Sequence, residues 1–284
     1  MISIVATLVI SILVQSGATR EPWVADLLQT KEAQAILSAH AKLPTPPPGR
    51  AIEVPPQAGE DSGHLKFLPI PGLDRAEKET YALIEEGRFE DAAACISRAR
   101  KDHPEYEAWT IDLAIEAELL GRSYESAYKD AVVRVATGGF SGEDQNLYLS
   151  LASAAKGQVF PRQAQYCATW IERHLENHGL PVPTKLTFEA RTSRDLMVLS
   201  AIALGTKAEP GFLELALRLD PVNELAARQA IRYYEAKGRY SDLRRIASGL
   251  VDRPPPGENR DFYVKAVSSA ADLKDRPLHA VINP

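Results

Sequence analysis

From Asp74 to about Pro256, apolar residues recur every three or four positions, and hardly any stretch alternates apolar with polar. That period places one apolar stripe on each of a series of helices. The fold class read from the pattern is all-α. Start signals punctuate it: Asp74-x-x-Glu77, Ser141-x-x-Asp144 and Thr192-x-x-Asp195 resemble capping boxes. Pro161, Pro210 and Pro221 stand where a first helical turn tolerates a missing N–H. Gly179, after Asn177-His178, reads as a helix stop. Upstream, Glu21 to Lys42 reads as one helix carrying Trp23, Leu27, Leu28, Ala33, Ile36 and Leu37. Downstream, Glu258 to Lys274 reads as a closing helix with Phe262, Val264, Ala266, Val267 and Ala271.

Two segments break the helical pattern. Ile2 to Val14 is an uncharged apolar run, too short for a membrane-spanning helix of ~20 residues. With the small residues Ser16-Gly17-Ala18 it reads as a signal peptide cut after Ala18, although no Lys or Arg precedes it. A retained anchor is the alternative. An exported chain, periplasmic or secreted, with no membrane span after cleavage is expected. Between Pro44 and Pro71 stand eight prolines in 28 residues. Proline removes a backbone donor and restricts its predecessor, so extended or irregular chain is expected there. The organisation is then a leader at 1–18, a helix within 19–42, a Pro-rich linker at 43–73, helical repeats over 74–256 and a capping helix with tail at 257–284.

The repeats are marked by Gly87, Gly121, Gly157, Gly205 and Gly238, spaced 34, 36, 48 and 33 residues apart. The long interval contains Pro181 and Pro183 and reads as an insertion near 179–191. One unit runs Gly87-x-Phe89-x-x-Ala92-x-x-x-Ile96-x-x-Ala99, closed by Pro104. A second has Gly238, Tyr240, Leu243, Ala247, Leu250 and Pro255 on the same spacing. A third, with Gly121, Tyr124, Ala127 and Ala131, is shifted by one residue. A half-unit ends Leu213, Ala216, Pro221, and the Gly157 unit diverges, with Ala164, Ala168 and Ile171.

These residues resemble the tetratricopeptide repeat over roughly 74–256. The family's Trp and Leu-Gly positions in the first helix of each pair are not recovered, Trp109 and Leu113 aside. The resemblance implies a right-handed superhelical solenoid of about five antiparallel helix pairs. One hairpin cannot bury its apolar face alone, so neighbours stack and the terminal units need caps. It also implies a concave groove lined by the first helix of each pair. On that face lie Glu77, Tyr81 and Ile84 in one helix, and Leu225, Arg228, Arg232 and Glu235 in another. Arg228 and Arg232, one turn apart, would offer two guanidinium forks to a carboxylate-bearing peptide end. The plainer reading is a solvated face, with Arg228 or Arg232 paired to Glu224 or Glu235. The Lys and Asn clamp that some family members use for C-terminal peptides is absent.

Composition narrows the chemistry. Lys+Arg total 33 against Asp+Glu 38, a net charge of −5, which argues against a nucleic-acid partner. No nucleophile elbow, phosphate loop, dinucleotide-binding glycine run or CxxC is found, so no cofactor is expected. The chain's two cysteines, Cys95 and Cys167, lie about two repeats apart. Packed helices stand ~8–10 Å from one another, beyond the ~7 Å reach of a disulfide, so two buried thiols are expected. His174 and His178 share a helix face, but Leu175 stands where a zinc-protease helix needs Glu. Histidines favour the negative end of a last turn, so no metal is expected. Carboxylates such as Glu79, Glu85, Glu86, Glu90 and Asp91 read as solvated surface. The expected function is a non-enzymatic scaffold binding a protein or extended peptide. The rivals are an enzyme or carbohydrate-processing module on a helical frame, and an envelope component that self-associates. The linker, with Phe67-Leu68-Pro69-Ile70, is itself a reasonable groove occupant.

Overall fold

A computed structural model describes residues 21–43, 71–104, 107–137, 143–180, 182, 190–206, 210–253 and 260–275. Among the described residues there are thirteen α-helices and no strand. The leader at 1–18, almost all of the linker and Ser141 lie outside them. No described helix is long and apolar enough to cross a membrane. The chain forms two compact units, divided after Ala152.

The first unit contains α1 (Pro22–Leu28), α2 (Lys31–His40), α3 (Pro71–Glu85), α4 (Phe89–Asp102), α5 (Glu107–Leu120), α6 (Tyr124–Thr137) and most of α7 (Glu143–Ala155). Sequential neighbours pack: α3 on α4, α4 on α5, α5 on α6, with α3 also touching α5. The apolar stripe that read as one helix over 21–42 is broken in two at Gln29. Thr30 caps the second piece, its Oγ1 accepting from Ala33 N–H at 3.2 Å. Trp23, Val24, Leu27 and Ala33 are fully buried, and α2 lies on α6. Asp74 is no cap either: α3 starts at Pro71, and Asp74 binds Lys78 one turn on.

The turns repeat one geometry. After α3, Gly87 N–H donates to Ile84 and Arg88 N–H donates to Leu83. After α5, Arg122 N–H donates to Leu119 and Ser123 N–H donates to Glu118. The same pair of bonds closes α7 at Gly157. This is the Schellman stop, which needs one left-handed residue. That residue is Gly87, Arg122 or Gly157, with φ 73°, 59° and 77°. These positions are 35 residues apart, a more regular period than the glycines mark. Gly121 serves close approach instead: an added Cβ would fall 2.9 Å from the Ala93 Cβ and from the Phe89 carbonyl oxygen.

Helix α5 has no solvent side. Every residue from Thr110 to Leu120 except Asp112 is buried, so Glu116 and Glu118 are carried into the interior. Arg134 of α6 grips Asp112 with two bonds of 2.8 and 3.1 Å, joining the helices at their edge.

The second unit contains the end of α7, then α8 (Gln163–Asn177), α9 (Ser193–Gly205), α10 (Pro210–Leu219), α11 (Glu224–Lys237), α12 (Tyr240–Asp252) and α13 (Arg260–Ala270). Each of α8 to α13 packs on the next. Thr192 caps α9 as read, accepting from Asp195 N–H at 3.1 Å. Of the three prolines read as first helical residues, only Pro210 starts a helix. Pro221 precedes the α11 cap Asn223, whose side chain accepts from Ala226 N–H. Gly179 ends α8 with the same Schellman bonds. Cys95 and Cys167 are free, buried thiols. Gln163, wholly buried, donates to Ser153 Oγ at 2.7 Å and ties α8 to the end of α7. His174 Nε2 meets the Thr206 carbonyl at 2.5 Å, and its ring stacks between Trp170 and His178. Small residues Ala227, Ala230 and Ala247 let α11 and α12 approach, around Leu213, Ile231, Leu243, Leu250 and Tyr263. The closing helix is shorter than read, and its outer face carries Arg260, Asp261 and Lys265, as a terminal cap requires.

Candidate functional site

In the second unit, α11, α12 and α13 enclose a cleft of about 260 Å³. Ile231, Leu243, Phe262 and Ala270 give it apolar walls. Arg232 and Glu235 enter from α11, and Lys265 from α13. Helical spacing brings the first two to one side, because residues three apart share a face. None of these three charged groups forms an ion pair among the described residues. The exposed Leu273 also lines the cleft.

Arg228, one turn before Arg232, is already engaged. It pairs with Glu224 at 2.5 Å, and its guanidinium sits 5.2 Å from the Phe262 ring centre. The local pair weighed for Arg228 is therefore formed, and the two arginines do not act as equivalent forks. Arg232 and Glu235 line the cleft, while Arg228 braces its Phe262 wall. Glu77 and Tyr81 belong to α3 in the first unit, half-buried and exposed respectively. Ile84, read on their face, is buried and packs inward.

A polar cluster next to the cleft fixes α10, α11 and α12 to one another. Tyr234 donates to Glu214 Oε1 at 2.8 Å, and Arg245 spans Glu214 and Asp242. Burial, then the Glu214 charge, pushes the Tyr234 phenol well above its usual range, so it stays a donor. Arg244 donates to the Ala270 and Leu273 carbonyls, and Asp275 accepts from Ser241 N–H at 2.8 Å. These bonds tether the residues that follow α13, and so hold Leu273 beside the cleft.

No family model, curated protein or solved structure matches the chain. What the cleft offers rests on its own geometry. Apolar walls with unpaired cations and one anion suit an apolar side chain flanked by charge.

A second constellation was not singled out in the sequence. Arg100 of α4 bonds to Asp130 of α6, and its Nη1 lies 3.9 Å from Glu118 Oε1 of α5. Burial first, then the Asp130 charge, raises the Glu118 carboxyl to about 8, against the pull of Arg100 and Lys129. At neutral pH the two carboxylates and one guanidinium therefore keep a proton. The signal was present: a helix apolar on every side buries whatever carboxylates it carries.

Proposed function

We propose that the chain is an exported, non-catalytic binding scaffold of the tetratricopeptide-like kind. The period of 35 between left-handed turn residues supports that repeat class, as do the aromatics Phe89 and Tyr124 two residues after such turns. The C-terminal cleft is the binding site in this reading. Its partner is an extended peptide segment placing an apolar side chain among Ile231, Leu243 and Phe262, with an acidic group toward Arg232 and Lys265. The single supporting observation is that these two cations stand unpaired over an apolar pocket. Arg232 would supply the bidentate fork, and Lys265 a mobile point charge. The apolar contact supplies affinity, and the charges set orientation and on-rate.

The test is selection from a random peptide display library on the protein. Enrichment of peptides with an acidic residue beside an apolar one is expected. Arg232→Glu with Lys265→Glu should turn the preference toward basic residues, with helicity unchanged. A selected set that is identical for both proteins, or no enrichment at all, refutes the site.

A further inference from the structure

We propose that a pocket of the first unit, lined by α4, α5 and α6, binds a small carboxylate-bearing molecule on Glu118, Lys101 and Lys129. This site is independent of the C-terminal cleft. The pocket holds about 360 Å³, inside the ~300–1,000 Å³ span of small-molecule sites. Arg100, Lys101, Lys129, Ser97, Ser126 and Glu118 line it, with Asp130, Leu43 and Pro104.

Two observations select the ligand. Glu118 is only 4% exposed, and its Oε2 is buried without a hydrogen-bond partner among the described residues. Such an orphan is costly in an interior, and a ligand supplying the missing partner removes the cost. Since Glu118 keeps its proton at neutral pH, it can donate, and the missing partner is an acceptor. The second observation is charge. Asp130 is engaged by Arg100, and the exposed Lys101 and Lys129 add two positive charges to the same lining. A cationic ligand would meet three like charges, whereas an anionic acceptor meets complementary ones. Leu43 and Pro104 add apolar lining, and the volume exceeds what a bare inorganic anion fills. An organic carboxylate uses both features. The charged groups that act on Glu118 are Arg100 of α4 and Asp130 and Lys129 of α6.

Titration calorimetry on the intact protein with benzoate, acetate, inorganic phosphate and methylammonium tests the site. Saturable one-to-one benzoate binding, tighter than acetate, is expected at pH 6.5. Above the pH at which Glu118 ionises, affinity should fall tenfold per pH unit, because binding then takes up a proton. Calorimetry in two buffers of different ionisation enthalpy reads that proton directly. Glu118→Gln keeps a neutral donor and should remove the pH dependence. Lys129→Met, at an exposed position, should weaken benzoate about tenfold with helicity unchanged. The proposal is overturned if no carboxylate saturates the site, if phosphate or methylammonium binds in its place, or if affinity ignores pH in the unaltered protein. Should Glu118→Gln not fold, the proton count and the Lys129 variant decide the outcome.

Discussion

Replacing Glu118 by glutamine isolates the proton held beside Arg100 and Asp130. The folded chain holds that proton to about pH 8, whereas an unfolded glutamate releases it near ~4.3. The folded state therefore binds it more tightly, and the stabilisation drains away as pH rises between those values. At full strength the loss is ~1.4 kcal/mol per pH unit, so from pH 5 to 7 it amounts to about 3 kcal/mol. Burial of Glu118 on α5 leaves little solvent screening to reduce that slope. Glutamine has nearly the same shape and no proton to lose. Urea unfolding followed by helical circular dichroism at pH 5, 6, 7 and 8 reads both proteins. The stability difference, variant minus unaltered, should grow by about 3 kcal/mol from pH 5 to 7 and level off above the native titration. Other titrating groups cancel in that difference. Parallel curves across the range would refute a shared buried proton.

Two further predictions concern the turns and helix contacts. Arg122 occupies a left-handed position that its Cβ disfavours, so Arg122→Gly should stabilise by about 1 kcal/mol, read as a raised urea midpoint. Gly205→Ala drives a methyl to 2.5 Å from Leu213 Cγ and should cost about 1–3 kcal/mol. Gly249→Ala, in α12 with open space around it, should gain about 1 kcal/mol. If both alanines move the melting temperature the same way, the α9–α10 contact is not as close as described.

The helices and their turns were legible because apolar period and turn residues are local signals. Phe89 and Tyr240 follow their left-handed glycines as the spacing implied. Gly121 misled by one residue, since it was read as the turn and is there for close packing against Phe89 and Ala93. The break at Gln29 was hidden because Leu27, Leu28, Ala33 and Leu37 continue one stripe through it. Thr30, spaced as a cap before Ala33, was the overlooked sign. At the C-terminal cleft, Arg232 and Glu235 were readable from helical spacing, whereas Lys265 and Phe262 arrive from another helix. The Arg100–Asp130 bond spans 30 residues, and no local rule pairs two such side chains. Only the apolar company around Glu118 betrayed it.

The N-terminal helix pair has a consequence for assembly. Helices α1 and α2 are joined to the body through residues 44–70, yet α2 docks on α6, which is remote in sequence. A docked element on a long tether behaves as an intramolecular ligand, with an effective concentration in the millimolar range for a short flexible connection. The same α6 surface would accept the helix pair of a second copy with equal contacts. Exchange between copies is therefore suppressed at ordinary concentrations and favoured by whatever shortens the tether. A chain lacking most of residues 44–70 would swap its first two helices and become a dimer.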